Sequence, residues 1–358
     1  MCELLGMECN TPTDLLFSFT GFSRRGGQTG PHQDGWGLAF YEGRAARVFL
    51  DPQPCSQSPL AAFFKGHSIK TELAVAHIRK RTEGPVGLAN THPFWREMWG
   101  QAWVFAHNGT LTGTESLRFS RYRPIGETDS ERAFCWMLDR LLEEFSEPPP
   151  AGQLFAAVAR LGSELSSRGV FNFLLGDGEH LFARCDTRLH HIVRQAPFGR
   201  ATLTDDDVTV DFSRLASPED RVAVVATSPL TRDEVWTAGS PGTLWVFRGG
   251  RLVASLDSPV LHPPPTTSCE NLTPPAPPRS GEGEGQPVTR RDEAAIFTPI
   301  PRLPRLQAAA ARRQRRAAAA AAAAPEAPAT GRRVAKIAAS GLYLTSPRPL
   351  STARRGSP

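Results

Sequence analysis

The sequence predicts a layered α/β protein in which helices cover β-sheets, and three observations lead there. Strand-like segments recur up to about Leu261, some with apolar residues at alternate positions and others as short apolar runs bounded by Gly, Asp or Asn. Two adjacent segments near the middle of the chain have helical periodicity instead. No internal repeat, G-x-G-x-x-G loop or P-loop interrupts this pattern. One-sided sheets and amphipathic helices bury their apolar faces only by stacking in layers.

Taken in order, strands are expected over Cys2–Cys9, Gly35–Tyr41, Ala46–Leu50, Glu72–Arg79 and Trp103–His107. Further strands are expected over Val170–Leu175, His180–Arg184, His190–Arg194, Val208–Phe212, Arg221–Ala226 and Thr243–Phe247. Asp177-Gly178 in "LLGDGEHLF" reads as a hairpin turn, and "GGR" at Gly249–Arg251 as a second. The first helix is expected over Thr128–Phe145, with Ala133, Phe134, Trp136, Met137, Leu138, Leu141 and Leu142 on one broad face. Thr128-x-x-Glu131 is a capping-box pattern at its start, and "EPPP" stops it. The second helix runs over Ala151–Gly169 and ends at the glycine.

Composition divides the 358 residues in two. From Pro263 onward Pro, Gly, Ser and Ala dominate, which predicts a largely disordered tail with a transient helix in the alanine block Ala308–Ala324. That tail holds 15 Lys/Arg against 6 Asp/Glu, whereas the preceding part holds 26 against 30. The folded part is therefore mildly acidic and carries no electrostatic footprint for nucleic acid. The basic clusters of the tail read as a solvated low-complexity segment, or as a nuclear-localisation or anionic-surface patch. Cysteines at 2, 9, 55, 135, 185 and 269 form neither a disulfide framework nor a zinc pattern, which suits a reducing, cytoplasmic compartment. Glu3 and Glu8 interrupt the first apolar stretch, so no signal peptide is expected, and no run of eighteen apolar residues predicts a membrane span. "NLT" at Asn271 matches a glycosylation sequon that a cytosolic protein would not use.

Several residues are suited to chemistry, each with an ordinary alternative. Removal of Met1 would leave Cys2 with a thiol and an α-amine of ordinary pKa near 7.7–8.0 on one residue, a nucleophile with its own base. Equally, cysteine is a common small core residue. Arg79, ending an apolar strand in "AVAHIRKRT", can fork onto a carboxylate or pair with a buried acid. Asn108-Gly109 in "WVFAHNGTL" can aim two N–H groups at one oxyanion, or form a turn; His107 reads as a packed strand-end histidine rather than a base. Asp129 in "IGETDSE" can hold an ammonium or serve the N-terminus of a helix. "NTHPF" (Asn90–Phe94) and "DGWGLAFY" (Asp34–Tyr41) look like a turn and a glycine-pinned strand lining a pocket.

In this order, behind an N-terminal cysteine, "MCELLGMECN", "DGWGLAFY", "AHIR", "NTHPF", "AHNGTL", "GETDSE", "GVFNFLLGDG", "APFG" and "VVATSPLT" resemble the class II glutamine amidotransferases of the N-terminal nucleophile hydrolase superfamily, in particular their small stand-alone members. The resemblance runs from Cys2 to about Val253 and implies an α+β fold, a four-layer αββα sandwich, in a domain spanning 2–262 with the tail at 263–358. It implies Cys2 as the nucleophile attacking the glutamine side-chain amide, Asn108 and the Gly109 N–H as the oxyanion hole, Arg79 on the substrate α-carboxylate and Asp129 on its α-ammonium. His92 matches a pocket histidine of the family. Neither metal nor cofactor is implied. Glutamate and ammonia would be the products, the ammonia being released or transferred to an acceptor on an unidentified synthase partner, since no second catalytic domain is recognised in the sequence. This chain has "HIRKRTEG" where larger members carry "HTRWATHG", a loop that covers bound glutamine in those enzymes. Two alternatives follow: a γ-glutamyl peptide amidohydrolase, or a non-catalytic scaffold on the same fold.

Overall fold

A computed structural model describes residues 2–261. The stretch from 263, with its expected disorder, alanine block, basic clusters and sequon, lies outside the described residues. In chain order the elements are β1 (Glu3–Asp14), α1 (Leu16–Arg24), β2 (Trp36–Glu42), β3 (Ala45–Asp51), α2 (Pro59–Gly66), β4 (Lys70–Ile78), β5 (Phe94–Met98) and β6 (Gln101–Leu111). Then come α3 (Asp129–Glu144), α4 (Ala151–Ser166), β7 (Gly169–Gly176), β8 (Leu181–Cys185), β9 (His190–Gln195), β10 (Arg200–Thr202) and β11 (Thr209–Asp211). The last are β12 (Arg221–Ala226), β13 (Thr237–Ala238), β14 (Thr243–Arg248) and β15 (Arg251–Asp257).

Two antiparallel sheets form the centre. One has seven strands in the order β13-β9-β12-β1-β4-β2-β3, and the other has six in the order β15-β14-β8-β7-β6-β5. Period-two alternation sorts their side chains into separate cores. Leu5, Met7, Ala74, Ala76 and Ile78 face Phe19 and Phe22 of α1 and Phe64 of α2. Phe105, Phe171 and Phe173 face Phe134, Met137 and Leu141 of α3 and Val158 and Leu161 of α4. Between the sheets, Leu4, Val75 and Val225 of the first meet Val104, Ala106, Leu174 and Leu181 of the second. Three cores separate four layers, the αββα sandwich that the resemblance implies.

The strand expectations hold with shifts of a few residues at their ends, apart from β1 and β6, which run further. β5, β10, β13, β15 and the helices α1 and α2 are additional; β15 is the second arm of the hairpin signalled at Gly249–Arg251, and the others are short. Both hairpin turns are present, with Gly178, Gly249 and Gly250 at positive φ. The capping box at α3 is only half formed. Thr128 Oγ1 accepts from the Glu131 N–H at 3.2 Å, but the Glu131 carboxylate turns away to Arg96 and the Gly126 N–H. The five cysteines among the described residues are free thiols.

One buried polar contact ties the sheets together. Tyr41 Oη on β2 lies 3.0 Å from the Ala102 carbonyl and 2.8 Å from that of Gly176, both in the opposite sheet. Tyr41→Phe removes the donor and strands those carbonyls, so urea unfolding is expected to show a loss of about 1–2 kcal/mol. A variant as stable as the parent would rule out this tie.

Candidate active site

The inter-sheet core is apolar along most of its length and turns polar at one end, where each stripe of alternate residues ends on a polar or reactive side chain. On β1 the stripe Gly6, Leu4 ends on Cys2; on β4, Leu73 and Val75 lead to His77 and then Arg79. On β6, Val104 and Ala106 lead to Asn108, on β7 Leu174 leads to Asn172, and beyond β12 Val225 leads to Thr227. Register brings these ends together: Leu4 lies opposite His77, and Asn108 opposite Asn172.

The Cys2 N–H donates to Asn108 Oδ1 at 2.8 Å. The other end of that amide, Nδ2, donates to Thr227 Oγ1 at 3.3 Å. The Asn108 carbonyl accepts from Asn172 Nδ2 at 3.0 Å, and Asn172 Oδ1 in turn accepts the N–H groups of Asp186, Thr187 and Arg188. Cys2 Sγ lies 3.3 Å from both the N–H and the carbonyl of Lys80. Burial pushes the Cys2 thiol up to about 11, outweighing the Lys80 N–H and the Arg79 charge, which favour the thiolate. The thiol is therefore protonated at neutral pH, and a nucleophilic role requires a local base.

β5 pairs with β6 only from Gln101 to Phe105, so β6 has an uncovered edge beyond that point. Successive residues of a strand direct their N–H and C=O groups to alternate sides. The Asn108 carbonyl faces β7 and Asn172, so the Gly109 N–H faces the uncovered side. Its neighbours on that side are engaged: the His107 carbonyl lies 3.1 Å from His77 Nε2, and the Leu111 N–H donates to Asp129 Oδ2 at 2.7 Å. Position 109 is a glycine for a steric reason, because a Cβ there would lie 1.8 Å from the Val170 carbonyl oxygen.

Arg79 follows β4 and is 3% exposed. Its backbone is pinned by the turn before β2, with Arg79 N–H to Gly35 carbonyl at 2.8 Å and Asp34 N–H to Arg79 carbonyl at 3.1 Å. Its guanidinium donates to the next loop, Nη1 to the Pro85 carbonyl at 3.1 Å and Nη2 to those of Glu83 at 2.6 Å and Gly84 at 3.2 Å. Burial pulls the Arg79 pKa below its ordinary value, while the nearby charges of Cys2, Asp34 and Asp129 raise it. Asp129 opens α3, where Oδ1 accepts from the Ser130 N–H at 2.8 Å while Oδ2 holds Leu111. Cys2, Arg79, Asn108, Gly109 and Asp129 thus gather at one end of the sandwich.

His92 sits one layer back. Its ring packs at a tilt between those of His77 (4.1 Å) and Phe94 (4.5 Å), and neither ring nitrogen has a hydrogen-bond partner. His107 is packed, as expected, with Nδ1 2.8 Å from Ser130 Oγ and Nε2 3.0 Å from the Val170 carbonyl. Burial pulls His77 down to about 3 and lowers His92 and His107 as well, so all three are neutral at pH 7. In the unfolded chain they take up protons near 6.5. Their contribution is present above that pH and is lost as pH falls below it. From pH 6.5 to 5.5 the loss is about 1 kcal/mol for His77, and His92 and His107 add to it in the same direction. Glu8, which burial pushes up to about 7, returns about 1 kcal/mol over the same range because it binds its proton in the folded state. His191, also lowered by burial, acts in the same direction as the other histidines, so unfolding free energy is expected to be lower at pH 5.5 than at pH 6.5. A flat profile in urea titrations would contradict the burial of neutral histidines.

Sequence reasoning did not single out Asn172, Thr227 or His77, although the signal was available: each is the first polar residue in an apolar period-two stripe. Among the described residues no group of three or more His, Cys, Asp or Glu side chains could hold a metal ion. No helix of the described residues is long and apolar enough to cross a membrane. A cavity of about 440 Å³ between α3, the end of α4 and the segment around Arg118 contains none of the gathered residues.

Comparison with known proteins identifies the family. Residues 1–271 match the family described as class-II glutamine amidotransferases. YafJ of Escherichia coli strain K12, provisionally named a glutamine amidotransferase, is 52% identical over 254 residues, covering 71% of this chain and all of YafJ. A Haemophilus influenzae protein with the same provisional naming is 48% identical over 256 residues, covering 72% of this chain and 87% of that protein. The 2.0 Å crystal structure of a Pseudomonas aeruginosa PA01 protein, assigned by prediction as a glutamine amidotransferase, aligns with a TM-score of 0.56 at 44% identity, covering 71% of this chain and all of that one. With its four-layer sandwich, a family match over most of its length and relatives of this identity, the chain belongs to the class II glutamine amidotransferases.

Proposed function

We propose that this protein hydrolyses the side-chain amide of glutamine through a thioester on Cys2. The observation that carries the reading is the 2.8 Å contact from the Cys2 nitrogen to Asn108 Oδ1, beside the outward-facing Gly109 N–H. Once Met1 is removed, that nitrogen is a free α-amine. In its neutral form it takes the Sγ proton as Sγ attacks the amide carbon. The resulting oxyanion is held by Asn108 Nδ2 and the Gly109 N–H, the two donors that such a hole requires. Collapse breaks the C–N bond, and the α-ammonium returns its proton to the leaving ammonia. Water, deprotonated by the same amine, then cleaves the γ-glutamyl thioester to glutamate and restores the thiol. Asp129 holds the substrate ammonium. Arg79 holds the α-carboxylate after exchanging the loop carbonyls of Glu83 to Pro85 for it. His92 supports this wall through its packing against His77. The ammonia leaves as product or passes to an acceptor on a synthase partner.

The test combines intact mass with product assay. The active protein is expected to lack Met1 and to release equal amounts of glutamate and ammonia from L-glutamine. A fully active chain that retains Met1 would refute the role of the α-amine. Because the amine must be neutral, kcat/KM is expected to fall as pH drops through about 7.7–8.0, the ordinary α-amine range. A pH-independent kcat/KM between 6 and 9 would argue for another base. A panel of γ-glutamyl peptides assayed beside glutamine identifies the preferred substrate.

A further inference from the structure

Thr227 is not among the residues to which the proposed reaction gives a role, yet its hydroxyl meets Asn108 and the strand that follows Cys2. Thr227 Oγ1 accepts from Asn108 Nδ2 at 3.3 Å and from the Leu4 N–H, two residues beyond Cys2, at 2.9 Å. Its own N–H donates to the Leu4 carbonyl at 3.1 Å, so this residue is locked to β1 through its backbone as well. It is 2% exposed, and Asn108 and Leu4 are fully buried, so no solvent competes for these contacts.

We propose that Thr227 is a positioning residue that fixes the orientation of the Asn108 amide relative to the Cys2 amine, an inference that rests on the reading of Cys2 as nucleophile. An asparagine amide can rotate by a half turn with little change of shape, which exchanges its acceptor and its donors. With Oδ1 toward Cys2, the amide accepts an amine hydrogen and leaves the amine lone pair free to take the thiol proton. With Nδ2 toward Cys2, the amide would donate to that lone pair and block the base, and the oxyanion hole would face an acceptor. In the productive orientation the amide is held at both ends: the Cys2 N–H donates to Oδ1, and the Thr227 hydroxyl, which already accepts from the Leu4 N–H, accepts from Nδ2 as well. One Nδ2 hydrogen is used on Thr227, and the second remains for the oxyanion. Because the same hydroxyl binds the Leu4 N–H, it also sets the separation between β1 and the Asn108 amide.

The full-length chain, with Met1 removal verified by mass, provides the test in two readouts. Thr227→Val keeps the shape and removes the hydroxyl; kcat for glutamine is expected to fall about 10- to 100-fold with KM within about twofold. Thr227→Ser keeps the hydroxyl and is expected to restore kcat to within about threefold. The second readout, alkylation of Cys2 by iodoacetamide as a function of pH, needs no substrate. Its profile is expected to shift in Thr227→Val and to return in Thr227→Ser. Should Thr227→Val fail to fold, Thr227→Ala removes the same hydroxyl without a new methyl contact and carries the same expectation. Unchanged kcat together with superimposable alkylation profiles would overturn the proposal, as would a serine variant no better than the valine one. If the parent enzyme releases no glutamate yet the profiles shift as expected, the glutaminase reading fails while the positioning role stands.

Discussion

Cys2→Ala is expected to lose glutamate release by at least about 10³-fold while unfolding at the same temperature as the parent within a few degrees. The two halves of that expectation have different causes. Chemically, Cys2 is the thiol in contact with Asn108, and the other side chains gathered there are an arginine, an aspartate, neutral, packed histidines and the Thr227 hydroxyl, which is bonded to Asn108 and Leu4. Structurally, Cys2 precedes β1, is 9% exposed, and contributes only thiol contacts with Lys80, so its truncation leaves both sheets intact. Cys2→Ala that still releases glutamate at a tenth of the parental rate would end the thioester mechanism. A collapse of stability would instead show Cys2 to be a core residue, the ordinary alternative for its type.

Asn108→Ala is expected to lower kcat by about 10²–10³-fold, the usual loss of one oxyanion donor, with a smaller change in KM. The asymmetry follows from geometry. In the proposed reaction Asn108 Nδ2 meets charge that develops only in the transition state, whereas the ground-state substrate is held by its α-carboxylate and α-ammonium at Arg79 and Asp129. The variant also frees the Cys2 nitrogen from its 2.8 Å contact, so the pH profile of any residual activity is expected to shift. A rise in KM with kcat intact would place Asn108 in substrate binding and remove it from the oxyanion hole.

Much of this was legible in the sequence, for physical reasons that can be named. Long strands with strict alternation and the two sixteen-residue helices α3 and α4 announce themselves, because one buried face of adequate length leaves a periodic trace. α1 and α2 have nine and eight residues, and each is a turn or two of Phe-rich chain too short to distinguish from a buried strand. β10 and β13, with three and two residues, have no pattern to detect. At the site, Cys2, Arg79 and Asp129 stand at strand and helix ends and Asn108 closes an apolar run inside β6, where a polar or reactive side chain is conspicuous. Thr227 and Asn172 stand at equivalent positions but carry side chains common in any turn. The half-formed capping box shows the opposite failure: Glu131 fits the local rule, yet Arg96, thirty-five residues away, takes its carboxylate. Local rules see only neighbours in sequence, and that contact depends on the packing of β5 against α3.

The shortness of β5 has a further meaning. An exposed sheet edge is a template for self-association and is ordinarily blunted or covered. Here the edge of β6 past Phe105 is engaged by side chains instead of a strand, His77 at the His107 carbonyl and Asp129 at the Leu111 N–H, with Gly109 and Thr110 half-buried between them. The site fills the berth of a strand that stops early. In the proposed reaction the oxyanion takes a hydrogen bond from Gly109 that a longer β5 would have taken, so the transition state briefly completes the sheet. The unfinished ladder leaves the half-buried Gly109 N–H facing the gathered side chains, and lengthening β5 by the four residue pairs that separate Phe105 from Gly109 would take up that donor.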